Sequence, residues 1–219
     1  MERIRNNRPV FALLVLQAAL YVYFLTADLF FPRSYCSALA KYLSILLCPA
    51  VAYFLSRGAA DKRDSLLLIA ALSVTCAADA FLLLLSRPVP GIVIFCVVHL
   101  IYIRRYRKRA CYPVAAIALL AVAACFAANA LWRGFPLMQA LASVYGPLLL
   151  AASLSGFTAP LPKISRRFIT IGMSLFLLCD IHVALFNTLP AGNPYYPIAA
   201  FLMWFFYLPS QVLLALSGN

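Results

Sequence analysis

The chain has 219 residues, of which 65% are hydrophobic and only 11% are charged. A soluble domain carries roughly 25% charged residues, so this composition excludes an ordinary soluble protein and predicts an integral membrane protein. The net charge of +12 is spread over short polar stretches beside the apolar segments and forms no independent basic patch, so we expect no nucleic-acid partner.

Apolar segments of about the length that spans a bilayer follow one another along the chain. We place eight of them at Pro9–Phe31, Ser37–Ser56, Ser65–Leu85, Val89–Ile103, Tyr112–Trp132, Pro136–Ser155, Phe168–Thr188 and Tyr195–Ser217. The first lacks the small-residue cleavage site of a signal peptide, so we interpret it as a retained helix. The sequence therefore predicts an all-α fold, with one domain of eight transmembrane helices over residues 1–219.

The distribution of basic residues predicts the orientation of this bundle. If the segments alternate in direction, fourteen Lys and Arg residues fall on one side and only Arg33, Arg87 and Arg133 on the other. Because short cytoplasmic loops carry the positive excess, both termini are predicted to be cytoplasmic. The basic run Arg104–Arg109 is interpreted as part of this topology signal and as a contact for lipid headgroups.

Prolines and charges inside the segments add local expectations. Pro49, Pro147 and Pro209 predict kinks whose freed carbonyls must be satisfied by neighbouring groups. Asp79 and Asp180 occupy similar places in the third and seventh segments, which suggests two halves, residues 1–110 and 111–219.

Charged side chains within the hydrocarbon cost several kcal/mol unless they face the interior of a bundle, so each is a candidate functional residue. At a rise of about 1.5 Å per residue, one level between the midplane and the outer third of the membrane contains Asp79, Asp180, His99 and Tyr207. We therefore predict an internal cavity that these polar side chains line. For His182 we favour a packing or loop-facing role, and for Asp28 an interfacial one. The same polar residues would also fit a purely structural role between helices. The ionisable candidates are Lys41, Asp79, His99, Asp180 and His182, and the phenol at the shared level is Tyr207.

Four stretches of the sequence resemble successive motifs of the YhhN / lysoplasmalogenase family. They are ADAFLLL around Asp79, GIVIFCVVHLIYIRRY around His99 and Tyr102, IGMSLFLLCDIHVALFN around Asp180, and FFYLPSQVLLALS around Tyr207 and Gln211. Lys41 and Tyr145 also fall where that family has a lysine and a tyrosine. The chain departs from the family pattern at Ala78, Cys179 and Tyr42, where the family usually has glycine, serine and proline.

The resemblance implies an eight-helix hydrolase that cleaves the vinyl ether bond of lysoplasmalogens, without a metal or organic cofactor. A fatty aldehyde and a glycerophospho-alcohol are the products, and the expected partners are a lysophospholipid and membrane lipids in a bacterial cytoplasmic membrane. Asp79 and Asp180 would be the catalytic acid and base in an order that stays open, with Lys41 keeping one of them ionised. The residues expected to bind or orient substrate and water are Lys41, His99, Tyr102, Tyr145, Tyr207 and Gln211.

Two other classes of protein fit the same carboxyl groups. Paired carboxylates within the membrane also build the ion pathways of proton-coupled transporters, and a lipid-binding membrane protein without chemistry is a further alternative. A metal site from Asp79, His99, Asp180 and His182 is only weakly indicated, because their spacings match no ligand pattern.

Overall fold

The computed structural model describes residues 7–31, 34–59, 61–107, 112–190 and 192–218. Within these ranges the chain is helical, without a strand, and eight of the helices are long and apolar enough to cross a membrane. The helices are α1 (Arg8–Phe30), α2 (Tyr35–Ser56), α3 (Lys62–Asp79), α4 (Pro88–Arg107), α5 (Tyr112–Leu131), α6 (Leu137–Phe157), α7 (Lys163–Thr188) and α8 (Tyr195–Leu216).

The prediction of an all-α, multi-pass membrane protein is thereby confirmed. The helix boundaries differ from the predicted ones by a few residues. The α-helical part of α3 ends at Asp79 and not at Leu85, α7 begins at Lys163 and not at Phe168, and α4 continues past Ile103 to Arg107. Five of the basic residues on which the predicted orientation depends, Arg3, Arg5, Arg33, Lys108 and Arg109, lie outside the described residues.

Contacts between helix ends define the two ends of the bundle. At the terminal end, where α1 begins and α8 finishes, the last turn of α4 contacts the first turn of α3 and Ser217 just beyond α8. The opposite end holds the beginnings of α4, α6 and α8. Close packing positions these helices: a Cβ at Gly172 on α7 would lie 3.1 Å from the Leu214 side chain of α8.

An ion pair lies buried at the terminal end. The Arg105 side chain is 2% exposed, and it donates from Nε and Nη2 to the two carboxylate oxygens of Asp64 at 2.9 and 2.8 Å. Its Nη1 also donates to Ser217 Oγ at 2.8 Å. Arg105 thus joins α3, α4 and the end of α8, so the expectation that this residue contacts lipid headgroups was wrong.

Two of the three prolines inside helices have the predicted consequence. Proline removes the hydrogen bond to the carbonyl four residues earlier, which is Phe205 for Pro209 and Ile45 for Pro49. The Tyr21 hydroxyl donates to the Phe205 carbonyl at 2.7 Å, and the Cys76 thiol donates to the Ile45 carbonyl at 3.6 Å. Side chains of neighbouring helices therefore satisfy both freed carbonyls.

Candidate active site

A cavity of about 380 Å³ lies at the opposite end of the bundle from the termini. Its wall is mostly apolar, and the ionisable side chains on it are two aspartates, two tyrosines and the thiol of Cys179, with Asn187 as a further polar group. The lining residues come from α3 with its continuation, α4, α6, α7 and α8. Those used below are Asp79, Pro88, Phe95, Met138, Tyr145, Phe176, Asp180, Asn187, Trp204 and Tyr207.

Asp79 and Tyr207 form the first carboxyl–phenol pair of the cavity. The Tyr207 hydroxyl of α8 donates to Asp79 Oδ2 at 2.6 Å, and Asp79 is only 3% exposed. Thr75, one turn earlier on α3, donates instead to the Ala71 carbonyl of its own helix. The phenol is therefore the side chain that orients this carboxyl group.

Asp180 and Tyr145 form the second pair. The Tyr145 hydroxyl of α6 donates to Asp180 Oδ2 on α7 at 2.5 Å. Asp180 is partly exposed to the cavity, whereas Asp79 lies deeper. Both carboxyl groups are thus oriented in the same way, by one neutral hydroxyl at Oδ2, and both line the same cavity.

The backbone after Asp79 is unusual. Residues Ala80–Leu84 form a π-helix, in which the Leu85 amide donates to the Ala80 carbonyl at 3.1 Å. Ser86 then adopts a left-handed conformation with φ of 51°, and α4 begins at Pro88 on the cavity wall. Such wide turns occur frequently at functional sites, and here one directly follows a cavity carboxyl group.

His99 lies behind the cavity wall. Its side chain is 0% exposed, and its ring packs against Tyr145 and Phe176, with centroid distances of 5.1 and 5.4 Å. Both of these neighbours line the cavity, whereas His99 itself does not. Neither ring nitrogen of His99 has a hydrogen-bond partner among the described residues.

Lys41 is placed differently from our expectation. Its Nζ lies 2.6 Å from Asp28 Oδ2, and the Ser37 hydroxyl donates to the other oxygen of Asp28 at 2.5 Å. The carboxylate partner of Lys41 is thus Asp28, which we had expected to be interfacial, and not Asp79 or Asp180. Lys41 contacts the site only indirectly, because its Nζ lies 4.8 Å from the ring centroid of Trp204, a residue of the cavity wall.

Tyr102 and Gln211 are buried away from the cavity. In the described part of the chain, neither the Tyr102 hydroxyl nor Gln211 Oε1 has a hydrogen-bond partner. Gln211 Nε2 donates to the Ser210 hydroxyl at 3.3 Å. His182 contacts the Leu178 carbonyl at 2.7 Å and stacks on Tyr195, so it has the packing role that we favoured.

Several residues of the cavity wall were not among the candidates predicted from the sequence. Phe176 lies one turn before Asp180, and Trp204 lies one turn before Tyr207, so helical spacing from the known candidates would have found both. Asn187 lies two turns after Asp180 on the same face of α7, so helical spacing would have found it as well. Over the ranges that the structure covers, no group of three or more His, Cys, Asp or Glu side chains could hold a metal ion.

Comparison with known proteins identifies one relationship. The family model of the YhhN family matches residues 36–218, which include both carboxyl–phenol pairs, His99 and Lys41. Asp28, the partner of Lys41, precedes the matched region. Neither the curated proteins nor the solved structures yield a match.

Proposed function

Because this chain belongs to the YhhN family, we propose that it is a membrane-embedded hydrolase of the vinyl ether bond in lysoplasmalogen-type lysophospholipids. The observation that carries the proposal is that Asp79 and Asp180 both line one largely apolar cavity. An apolar cavity with a few convergent polar groups is what the binding and cleavage of a lipid requires. We further propose that the termini are cytoplasmic, that the membrane is a bacterial cytoplasmic membrane, and that no cofactor takes part.

The proposed reaction needs one acid and one base. The acid donates a proton to the β-carbon of the alkenyl group, and the double bond becomes an oxocarbenium ion at the carbon attached to the ether oxygen. A water molecule then attacks that carbon and loses a proton to the base, which gives a hemiacetal. Transfer of the hemiacetal hydroxyl proton to the ether oxygen breaks the carbon–oxygen bond and releases the aldehyde and the glycerol hydroxyl. The sum is the consumption of one water.

The two carboxyl groups supply this acid and base in the proposal. General acid–base catalysis depends first on geometry, and each tyrosine holds its carboxyl group through Oδ2. We therefore assign proton exchange with the substrate and water to Oδ1 of each aspartate. One aspartate must start protonated and the other ionised, and the assignment between Asp79 and Asp180 stays open.

The charges around the cavity bear on the position of the substrate headgroup. Among the described lining residues there are two carboxyl groups and no Lys or Arg, so a phosphate does not belong deep in the cavity. Arg87 is exposed, and it directly precedes Pro88 of the cavity wall. We propose that the alkenyl chain occupies the apolar interior while the phosphate stays at the mouth beside Arg87.

A panel of lysophospholipids tests this proposal. Purified protein in detergent is incubated with alkenyl, alkyl and acyl lysophospholipids of one chain length, and products are identified by mass spectrometry. We expect aldehyde from the alkenyl compound and no cleavage of the alkyl compound, because only a vinyl ether is activated by protonation at carbon. Release of fatty acid from the acyl compound without any aldehyde would overturn the proposal. Substrate flux into liposomes that needs a proton gradient, without cleavage, would support a transporter instead.

A further inference from the structure

His99 and Tyr102 stand out as buried polar side chains that the proposed acid–base chemistry does not use. They lie three residues apart on one face of α4, and both are 0% exposed. Both ring nitrogens of His99 and the hydroxyl of Tyr102 lack a partner within the described residues. Most buried polar groups in folded proteins are hydrogen-bonded to protein or to ordered water, so we expect these three atoms to bond to a bound molecule.

A ring contact and a hydrogen bond connect this pair of side chains to the candidate active site. The His99 ring packs 5.1 Å from the Tyr145 ring, and the Tyr145 hydroxyl is bonded to Asp180. On the other side, Tyr102 stacks on Tyr106 at 5.7 Å, toward the terminal end. Only Tyr145 therefore separates His99 from the carboxyl group of Asp180, and Tyr102 lies farther from the cavity mouth.

The hydrogen-bonding capacity of the two side chains indicates what kind of molecule they would bind. A neutral imidazole offers one donor and one acceptor, and a phenol offers both functions at one atom. Neither side chain of the pair carries a permanent charge, and the surroundings of His99 are aromatic: Phe176 packs against His99, and Phe95 packs against Tyr145 and Phe176. A small neutral molecule that both donates and accepts hydrogen bonds would satisfy these groups, and water has these properties.

We propose that His99 and Tyr102 hold an internal water site behind the Tyr145–Phe176 wall, and that this site supplies the water that captures the oxocarbenium ion. The second part rests on the proposed function. A lipid in the cavity fills the mouth and the apolar interior, so water from the mouth does not reach the reacting carbon. Water held at His99 reaches it from behind Tyr145, and its proton passes to the carboxylate that acts as base. His99 is in this view a positioning residue, because it touches the water and not the substrate.

Radiolytic hydroxyl-radical footprinting tests the water site without any substrate. Radicals formed from bound water oxidise adjacent side chains even where bulk solvent does not reach. We expect oxidation of Tyr102 several-fold faster than that of Phe24, which is also 0% exposed but has no polar atom. His99→Phe should lower the rate at Tyr102 toward that of Phe24, and His99→Gln should retain it. Equal rates at Tyr102 and Phe24 in the unmodified protein would overturn the water site.

Competition between nucleophiles tests the role of this water in the reaction. Methanol captures an oxocarbenium ion to give a stable methyl acetal, so the ratio of acetal to aldehyde measures how well the site supplies water. We expect His99→Phe to lower kcat roughly 10- to 100-fold with little change in KM and to raise this ratio several-fold, since misplaced reactants slow an enzyme by such factors. His99→Gln and Tyr102→Phe should fall between this variant and the unmodified protein.

An unchanged ratio in a folded His99→Phe protein would overturn the proposed role of the water. Absence of aldehyde from the unmodified protein would overturn the proposed function instead, and footprinting would still decide whether the water site exists.

Discussion

Both ends of the bundle bury carboxyl groups, but they surround them with different partners. At the terminal end, Asp64 receives two hydrogen bonds from the guanidinium of Arg105, so the two charges neutralise each other in a bidentate pair. At the cavity end, Asp79 and Asp180 each receive a bond from a neutral phenol. The terminal pair is fixed in one charge state, whereas a carboxyl group beside a phenol can gain or lose a proton without breaking an ion pair.

The kind of hydrogen-bond partner therefore distinguishes a structural carboxylate from a candidate catalytic one, although both kinds lie inside the bundle. A charge inside the bundle would by itself have made Arg105, Asp64, Asp79 and Asp180 all candidate functional residues. The identity of the partner distinguishes them, because an ion pair joins helices, while a neutral donor orients a carboxyl group and leaves its proton available for exchange. The following variants test whether the two ends differ in this way.

The largest effect should come from removing the cavity carboxyl groups. Asp79→Asn and Asp180→Asn keep the size of the side chain but cannot exchange a proton, so each should lower kcat by about 10³- to 10⁴-fold. The measurement is aldehyde release from an alkenyl lysophospholipid. Asp61→Asn is the matched control: Asp61 caps α3 at the other end through the amides of Arg63 and Asp64, and asparagine caps a helix equally well. Full activity of either cavity variant would remove that aspartate from the mechanism.

The next effect concerns stability at the terminal end. Arg105→Gln leaves the Asp64 carboxylate partly buried without its cation, and breaking such a pair should reduce the free energy of unfolding by about 3 to 4 kcal/mol. Thermal unfolding in detergent measures the change, and activity per folded molecule should stay the same. A variant with unchanged stability but lost activity would reverse the roles that we give to the two ends.

A smaller effect should follow from removing either phenol hydroxyl. Tyr145→Phe and Tyr207→Phe keep the aromatic wall but release Oδ2 of the aspartate, so kcat should fall roughly 10- to 100-fold through loss of orientation. The matched substitution Tyr21→Phe removes a hydroxyl that donates to a backbone carbonyl on α8, and it should leave kcat unchanged. If the three variants behave alike, the phenols only join helices.

The smallest effect is expected at the cavity mouth. Arg87→Gln should raise KM for an alkenyl lysophospholipid by about tenfold, the scale of one hydrogen bond to a charged group, and should leave KM for an alkenylglycerol without phosphate unchanged. Arg133→Gln, an exposed arginine in the turn between α5 and α6, is the control. Equal changes for the two substrates would exclude a contact between Arg87 and the phosphate.

Parts of this arrangement could be predicted because they depend on composition and helical geometry. Eight helices follow from the length of the apolar segments, and Asp79 and Asp180 are visible because a charge within such a segment has few explanations. Their common level follows from the rise per residue of a helix.

Other parts depend on neighbours that the sequence does not order. Arg105 and Arg104 belong to the same basic run, and the sequence does not distinguish them. The packing of α3 against α4 is what buries Arg105. The position of Asp28 near a helix end does not reveal that Lys41 of the next helix pairs with it. The π-helix after Asp79 is hidden in the ordinary sequence AFLLL, because a shift of backbone hydrogen bonds by one residue needs no particular side chain.

Trp204 gives the cavity an optical reporter. It is one of two tryptophans in the chain, and its indole lines the cavity, contacts Tyr207 and lies beneath the ammonium group of Lys41. The other, Trp132, is largely exposed at the end of α5. Replacing Trp132 by phenylalanine would leave a single tryptophan whose emission senses both the Lys41 charge and the arrival of a lipid chain. Occupancy of the cavity would then be readable in real time, independently of turnover.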